Sequence, residues 1–332
     1  MTNQERFTRA LRGLGGLDRL PMIEWASHWD KTVRNWEEQG LPKGLAHHEI
    51  VAENGLDVMR QIWIAPRAST CPRPAYHGAG LMEDEADFEK LLPHLYPEEN
   101  IENACRIAES LKEQHERGEI IFWISLDGFF WFPRTLFGIE NHLYAFYDYP
   151  ELMHEMNRRQ AEFNLKTIKA VCDILKPDFM TIAEDMSYNN GPMLSHKHFE
   201  EFLAPYYRQI VPELKARDIP VFVDTDGDLT QMIPWLMSVG VEGILPLERQ
   251  AGVDVNIIRK KYPDFMMIGG YDKTIMHLGE EAMRREFERI EPAVRAGRYI
   301  PSVDHQTPPD VTLEQYRLYV KLLEEYMTRF AH

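Results

Sequence analysis

Eight short apolar runs, seven of them ending on acidic residues, constrain the fold of this chain more than any other feature. They are "RLPMIEW" (19–25), "LDVMRQIWIA" (56–65), "EIIFWISLDG" (119–128), "PDFMTIAED" (177–185), "IPVFVDTDG" (219–227), "VEGILPLE" (241–248), "DFMMIGGYD" (264–272) and "RYIPSVDH" (298–305). Each is rich in Ile, Val, Phe or Met and bounded by Pro, Gly or Asp, the pattern of strands buried on both faces. Between them lie stretches of helical periodicity with charged faces, such as "IENACRIAESLKEQHERG" and "EEAMRREFERIEPAVRAG". Strand and helix alternating about eight times predicts an α/β fold of the closed (β/α)8 kind, a TIM barrel, over an open doubly wound sheet. The long intervals 66–118 and 129–176 predict extra helices in the N-terminal half. No Gly/Ser-rich linker breaks the chain, so residues 1–332 read as one domain.

Composition then removes whole classes of function. A formal net charge of −16 opposes binding to phosphate backbones or anionic lipid, so no nucleic acid or membrane partner is expected. Cys71, Cys105 and Cys172 are three in number, widely spaced and in no CxxC pattern. They suggest neither a disulfide framework nor a thiolate zinc site, and point to the reducing cytoplasm. The opening "MTNQERFTRALRG" has no signal-peptide pattern, and no apolar run approaches the roughly 18 residues of a membrane span. Ser195 is the expected N-cap of a helix that Pro205 and Pro212 should kink or divide.

In a barrel of this kind the C-terminal strand ends face the mouth where chemistry is done. Those positions here are Glu24, Asp127, Glu184 with Asp185, Asp224 with Asp226, Glu248, Asp272, and Asp304 beside His305. One aspartate there would be read as a helix cap. Seven acidic strand ends repel one another unless they are protonated, paired with cations or bound to metal. For "DTDGD" two accounts stand side by side. It is an Asx-type turn, or Asp224 and Asp226 project to one side of an extended segment and, with His305, hold a divalent ion. The "FWISLDGFFWFP" cluster and Trp25 offer an apolar wall for a substrate. Phe122 and Trp123 read as core, whereas Phe130 and Trp131 lie just past the strand end. Lys273 reads as an ion-paired or capping lysine.

The second half carries a resemblance. "AEDMSYNNGPMLSHKHFEEFLAPYYRQIVPEL", "VFVDTDGDL", "GILPLERQAGVDV", "IGGYDK" and "GRYIPSVDHQTPPDVTLEQY", taken in this order, resemble the uroporphyrinogen decarboxylase superfamily, which includes corrinoid-linked methyltransferases. The resemblance is strong over about residues 178–325 and weak before them. It implies a (β/α)8 barrel with its site at the C-terminal mouth, and a homodimer, since dimers are common in the family. Decarboxylase members carry an arginine-rich Arg-Gln-Ala-Gly-Arg segment after the first strand that grips the porphyrinogen carboxylates. The matching stretch here is "MIEWASHWDK", with no arginine, and "RQIWIAP" lacks the aspartate those members place after the second strand. Methyltransferase members bind zinc through His-x-Cys and a later Cys. Matching those segments puts Asp224, Asp226 and His305 at the ligand positions, so a metal site is implied but its thiolates are gone.

Together these readings predict a metal-dependent, methyltransferase-like enzyme that moves a methyl group from a small aryl methyl ether or methylamine to a corrinoid protein. Asp224, Asp226 and His305 would hold a divalent metal, zinc foremost. Glu184, Asp185 or Asp272 would donate a proton or stabilise a cation. Trp25, Phe130, Trp131 and Tyr188 would line the pocket, with Asn190 orienting the substrate. No Asp-x-His-x-x-Gly motif is present, so a corrinoid would arrive only on a partner protein. The alternatives are a decarboxylase acting on an acid smaller than uroporphyrinogen, and a non-catalytic barrel that binds a small molecule or a corrinoid protein.

Overall fold

The computed structural model describes residues 1–331. Seven of the eight apolar runs form strands of one parallel sheet, in chain order: β1 (Met59–Ile64), β2 (Ile121–Asp127), β3 (Phe179–Ala183), β6 (Val221–Asp224), β7 (Gly243–Leu245), β8 (Met266–Tyr271) and β9 (Tyr299–Val303). The intervening β4 (Ser187–Tyr188) and β5 (Gly191–Pro192) form a small antiparallel hairpin beyond the end of β3. Parallel neighbours need long crossovers, and helices supply them. Glu98–Glu116 precedes β2, Pro150–Cys172 precedes β3, Ala204–Ala216 precedes β6, and Glu280–Arg295 precedes β9. Every residue of β2, β3, β8 and β9 is buried, which explains why their sequences are nearly continuous apolar runs.

The run 19–25 departs from expectation. It is extended but does not pair as a strand, so the parallel sheet has seven strands and not eight. Its place lies between the two sheet edges all the same. Asp57, just before β1, donates its N–H to Met22 O at 2.7 Å and accepts the Met22 N–H at 3.0 Å. On the other side Ser302 Oγ of β9 donates to Ile23 O at 3.0 Å, and the Trp25 indole N–H reaches Val303 O at 2.8 Å. Pro21 has no N–H to give a ladder, and apart from the backbone bond between Asp57 N–H and Met22 O, side chains have taken the partners' role. The result is a TIM-barrel-like α/β fold in which segment 20–25 occupies the eighth position.

The expected extra helices are present in the N-terminal half, among them Asp30–Glu38, His47–Glu53, Glu85–Leu91, Trp131–Phe137 and Ile139–Asp148. Ser195 caps its helix by accepting the His198 N–H at 3.1 Å. Pro205 also acts as expected: the helix runs His196–His198, passes through a wide π turn at Phe199–Leu203, and restarts at Ala204 with Pro205 in its first turn. Cys71, Cys105 and Cys172 are all free. No helix among the described residues is long and apolar enough to cross a membrane.

Asp57 is the pin that stands in for the missing ladder. It is 3% exposed and accepts two N–H bonds from Arg19, at 2.8 and 2.5 Å, besides that of Met22. Asp57→Ala would leave the half-buried Arg19 guanidinium with Leu20 O as its remaining acceptor and a buried N–H with none, and is expected to cost about 3 kcal/mol in urea unfolding. A loss under about 0.5 kcal/mol would mean that segment 20–25 is held by its apolar contacts alone.

Candidate active site

At the C-terminal ends of the strands a cavity of about 270 Å³ opens between segment 20–27, β1, β2, β3, β6 and the loop after β9. Its wall is made of four indoles, Trp25, Trp63, Trp123 and Trp131, four carboxylates, Glu184, Asp185, Asp224 and Asp226, and His305, with Ser27, Gln61, Gln306, Ala26 and Ala183 between them. No lysine or arginine lines it. The acidic strand ends, which look alike in sequence, divide here into two kinds.

Most are structural anchors. Glu184 is fully buried and takes four donors: Phe129 N–H (3.0 Å) and the Tyr207 hydroxyl (2.5 Å) on one oxygen, Phe130 N–H (2.7 Å) and Trp131 N–H (3.2 Å) on the other. Burial pushes its pKa up, and these donors pull it back. The loop lies so close that a Cβ on Gly128 would sit 2.2 Å from the Glu184 carboxyl carbon. Glu184 lines the cavity, but its lone pairs are spent on the loop that carries Trp131, so the expected proton donor is in this structure a positioning group. Asp304 accepts the N–H groups of Arg249 (2.8 Å) and Lys273 (3.2 Å), and Glu248 accepts that of Gly227 (3.0 Å). Lys273 Nζ lies 3.5 Å from Glu248 and 3.7 Å from Asp304, the paired lysine that the sequence suggested. Asp272 caps the next helical turn through Thr274 N–H at 2.8 Å and does not line the cavity, which corrects its expected catalytic role.

Glu24 is buried as well. Burial raises its pKa to about 8 although Ser302 Oγ and Tyr316 OH each lie 3.1 Å from its oxygens. It is therefore neutral in the folded chain at pH 6 and ionised in the unfolded one. Between the ordinary glutamate range and pH 8 the folded state keeps a proton that the unfolded state has released, so stability falls as pH rises.

The second kind of acid faces the cavity. "DTDGD" proves to be both a turn and part of the site. Asp228 makes the Asx turn, accepting Thr230 N–H at 3.0 Å, and Gly227 at φ +82° packs on Tyr188, whose Cα would lie 2.6 Å from an added Cβ. Asp224 and Asp226 line the cavity with Asp185. Burial, reinforced by Asp226 and Asp185, pushes the Asp224 pKa well above the carboxylate range. Asp226 is raised to about 7 by burial and by Glu248 and Asp185, against Lys273 and Arg134. His305 Nε2 is 3.7 Å from Asp226 Oδ1, and burial with Lys273 nearby lowers its pKa. Asp185 is paired: Arg134 Nη1 donates at 2.7 Å to both its carboxylate and its carbonyl, with the guanidinium 5.3 Å from the Trp131 ring centre.

A divalent metal fits this arrangement only in part. Asp226 and His305 form a pair, and Asp224 shares their wall. Yet no group of three His, Cys, Asp or Glu side chains among the described residues is drawn together so as to hold a metal ion. The donor set is two groups where three are needed.

Of the expected pocket residues, Trp25 and Trp131 are in the wall. Phe130 is not: it is fully buried, its ring 4.5 Å from that of His142 in the core. Tyr188 and Asn190 are exposed on the β4–β5 hairpin and do not line the cavity. The sequence reading missed Gln61 and Trp63 and assigned Trp123 to packing alone. Trp123 does stack on Phe179, at 5.0 Å and 8°, but its edge also reaches the cavity. The signal was the alternation in "MRQIWI", where Ile62 and Ile64 are buried outside and Gln61 and Trp63 open to the mouth.

With the geometry established, comparison with known proteins places the chain. The family model described as uroporphyrinogen decarboxylase (URO-D) matches residues 81–326, well over half of the chain. The chain belongs to the uroporphyrinogen decarboxylase family. A curated uroporphyrinogen decarboxylase of Granulibacter bethesdensis is 26% identical over 255 residues, covering 71% of this chain and 69% of the relative. Among solved structures, a methyltransferase from Methanosarcina mazei superposes with a TM-score of 0.66 at 14% identity, covering 98% of this chain and 99% of the other. At that identity the likeness is one of fold. The family match begins at residue 81, well before the motifs near residue 178 that carry the resemblance in sequence.

Two outcomes follow. Raising pH from 6 to 8 is expected to cost the native protein more stability than it costs Glu24→Gln, by on the order of 2 kcal/mol in urea unfolding; equal losses would mean that Glu24 is ionised in the fold. Glu184→Ala, which strips three loop N–H groups of their acceptor, is expected to cost about 2–3 kcal/mol, and an unchanged midpoint would show the loop to be held by other contacts.

Proposed function

We propose that this family member is a methyltransferase that takes a methyl group from a small methylated substrate, an aryl methyl ether or a methylamine, and passes it to a corrinoid carried on a separate protein. The observation that supports this reading is the cavity wall: four indoles and four carboxylates with no lysine or arginine among the lining residues. Such a wall offers no lysine or arginine to pair with a polycarboxylate, which decarboxylation of a porphyrinogen would require it to hold. It accepts a flat or a cationic substrate with an apolar methyl group.

The reacting carbon would lie among the indoles, with its heteroatom toward Asp226 and His305. The C–X bond breaks with its electron pair left on X, and the acceptor's pair forms the new bond to carbon. An ether oxygen then needs a proton. Asp226, with a pKa of about 7, holds one near neutral pH, and His305 at 3.7 Å is placed to exchange it. A methylammonium cation leaves as the neutral amine and needs no added proton. Asp185 contributes little free charge because Arg134 is bound to it. No step is routed through a metal, since the donors do not converge on one.

A second reading has its own support, because the curated relative at 26% identity is a decarboxylase. Asp226 as an acid would then protonate the carbanion left by carbon dioxide. The deciding assay incubates the protein with methoxybenzenes and with mono-, di- and trimethylamine, using reduced free cobalamin as acceptor, with zinc or with EDTA. Parallel reactions with small aromatic acids are monitored for carbon dioxide. Methylcobalamin formation from the methoxybenzenes that falls about 100-fold or more in Asp226→Asn is expected. Carbon dioxide release with no methyl transfer would replace this reading with the decarboxylase, and loss of activity in EDTA restored by zinc would show that Asp224 joins Asp226 and His305 around a metal.

A further inference from the structure

We propose that the substrate of this cavity is a cation, a small methylated ammonium compound, and not a neutral ether. The inference rests on the methyl-transfer reading only for the choice of methylated compounds; the preference for positive charge comes from the wall itself. Besides Trp123, which is stacked on Phe179, three tryptophans line this cavity of about 270 Å³, and indole is the side chain whose face attracts cations best. Two of the four cannot serve as hydrogen-bond donors to an ether or phenol oxygen. The Trp25 N–H is bound to Val303 O at 2.8 Å, and the Trp63 N–H to Asp127 Oδ1 at 2.8 Å. With their N–H groups engaged elsewhere, these two rings bring the cavity no donor.

The wall already binds a cation of its own. Arg134 lies 5.3 Å from the ring centre of Trp131, so one indole of the set carries a guanidinium. Charge is also unbalanced. Arg134 is spent on Asp185, and Lys273 is shared between Glu248 and Asp304. Asp226 has only His305, at 3.7 Å, and the Asp224 carboxylate faces the cavity with no hydrogen-bond donor among the described residues. A ligand with a positive centre supplies the counter-charge that Asp224 lacks, while its methyl groups fill the indole-lined space. A neutral ether supplies none, and leaves protons as the only means of neutralising these acids. Small size fits too, as drug-sized ligands take pockets of about 300–1,000 Å³.

The test is isothermal titration calorimetry of the full chain with three probes: choline, its uncharged carbon isostere 3,3-dimethylbutan-1-ol, and methoxybenzene. Choline is expected to bind at least ten-fold more tightly than the isostere. Trp63→Leu, a change at a side chain 47% exposed and so tolerable to the fold, is expected to weaken choline at least ten-fold, as is Asp224→Asn. Equal affinity for choline and its isostere, or no binding of choline, overturns the proposal. Methoxybenzene binding and demethylation without choline binding overturns it while leaving methyl transfer standing. Choline binding with no transfer from any methylammonium supports the cation site and removes the methyl-transfer reading instead.

Discussion

The mouth of this barrel depends on buried carboxylates that accept hydrogen bonds from loop backbone. A loop crossing the end of a parallel sheet carries N–H groups with no ladder partner, and leaving them unpaired away from water costs more than the bonds themselves return. Glu184 takes three of them in a row, Asp304 takes two from two different loops, and Glu248 takes that of Gly227. Through these anchors Trp131, Lys273 and the "DTDGD" turn come to fixed positions. Side chains whose oxygens are committed to loop backbone thus set the shape of the cavity.

The same arrangement sorts charge. Lys273 and Arg134 sit behind the wall and neutralise Glu248, Asp304 and Asp185, so the repulsion expected of converging acids is relieved on one side only. Asp224 and Asp226 keep no close cation, and burial raises both. A pocket with that residual demand for positive charge, faced by indoles, is a different receptor from one built to clamp carboxylates. Within a family whose members include decarboxylases, the wall and not the fold carries the functional argument.

Fold likeness alone would not separate the two activities. The curated decarboxylase at 26% identity and the methyltransferase structure at a TM-score of 0.66 share this chain's scaffold, and the scaffold tolerates both chemistries. On the reading proposed above, the distinction rests on a few side chains at the strand ends. There, "MIEWASHWDK" supplies Trp25 and Ser27, and "MRQIWI" supplies Gln61 and Trp63.

The amino-acid sequence by itself determined the alternation of strands and helices, the helix ends at Ser195 and Pro205, the acidic character of the mouth and the family. These depend on local periodicity, capping and ordered motifs, which are properties of neighbouring residues. Tertiary structure alone decided that segment 20–25 is pinned by Asp57 and Ser302 instead of laddered, because hydrogen-bond partners some 35 and 280 positions away are invisible to a local pattern. It also decided which acids anchor and which face the cavity. Glu184 and Asp185 are adjacent in sequence, yet one is enclosed by four donors and the other turns to Arg134 and the cavity. Asp272 became a cap and Phe130 a core ring, while Gln61, Trp63 and Trp123 entered the wall. The reason is geometric: strand periodicity tells which residues share a face, but only the closing of the sheet tells which face meets the others across the cavity.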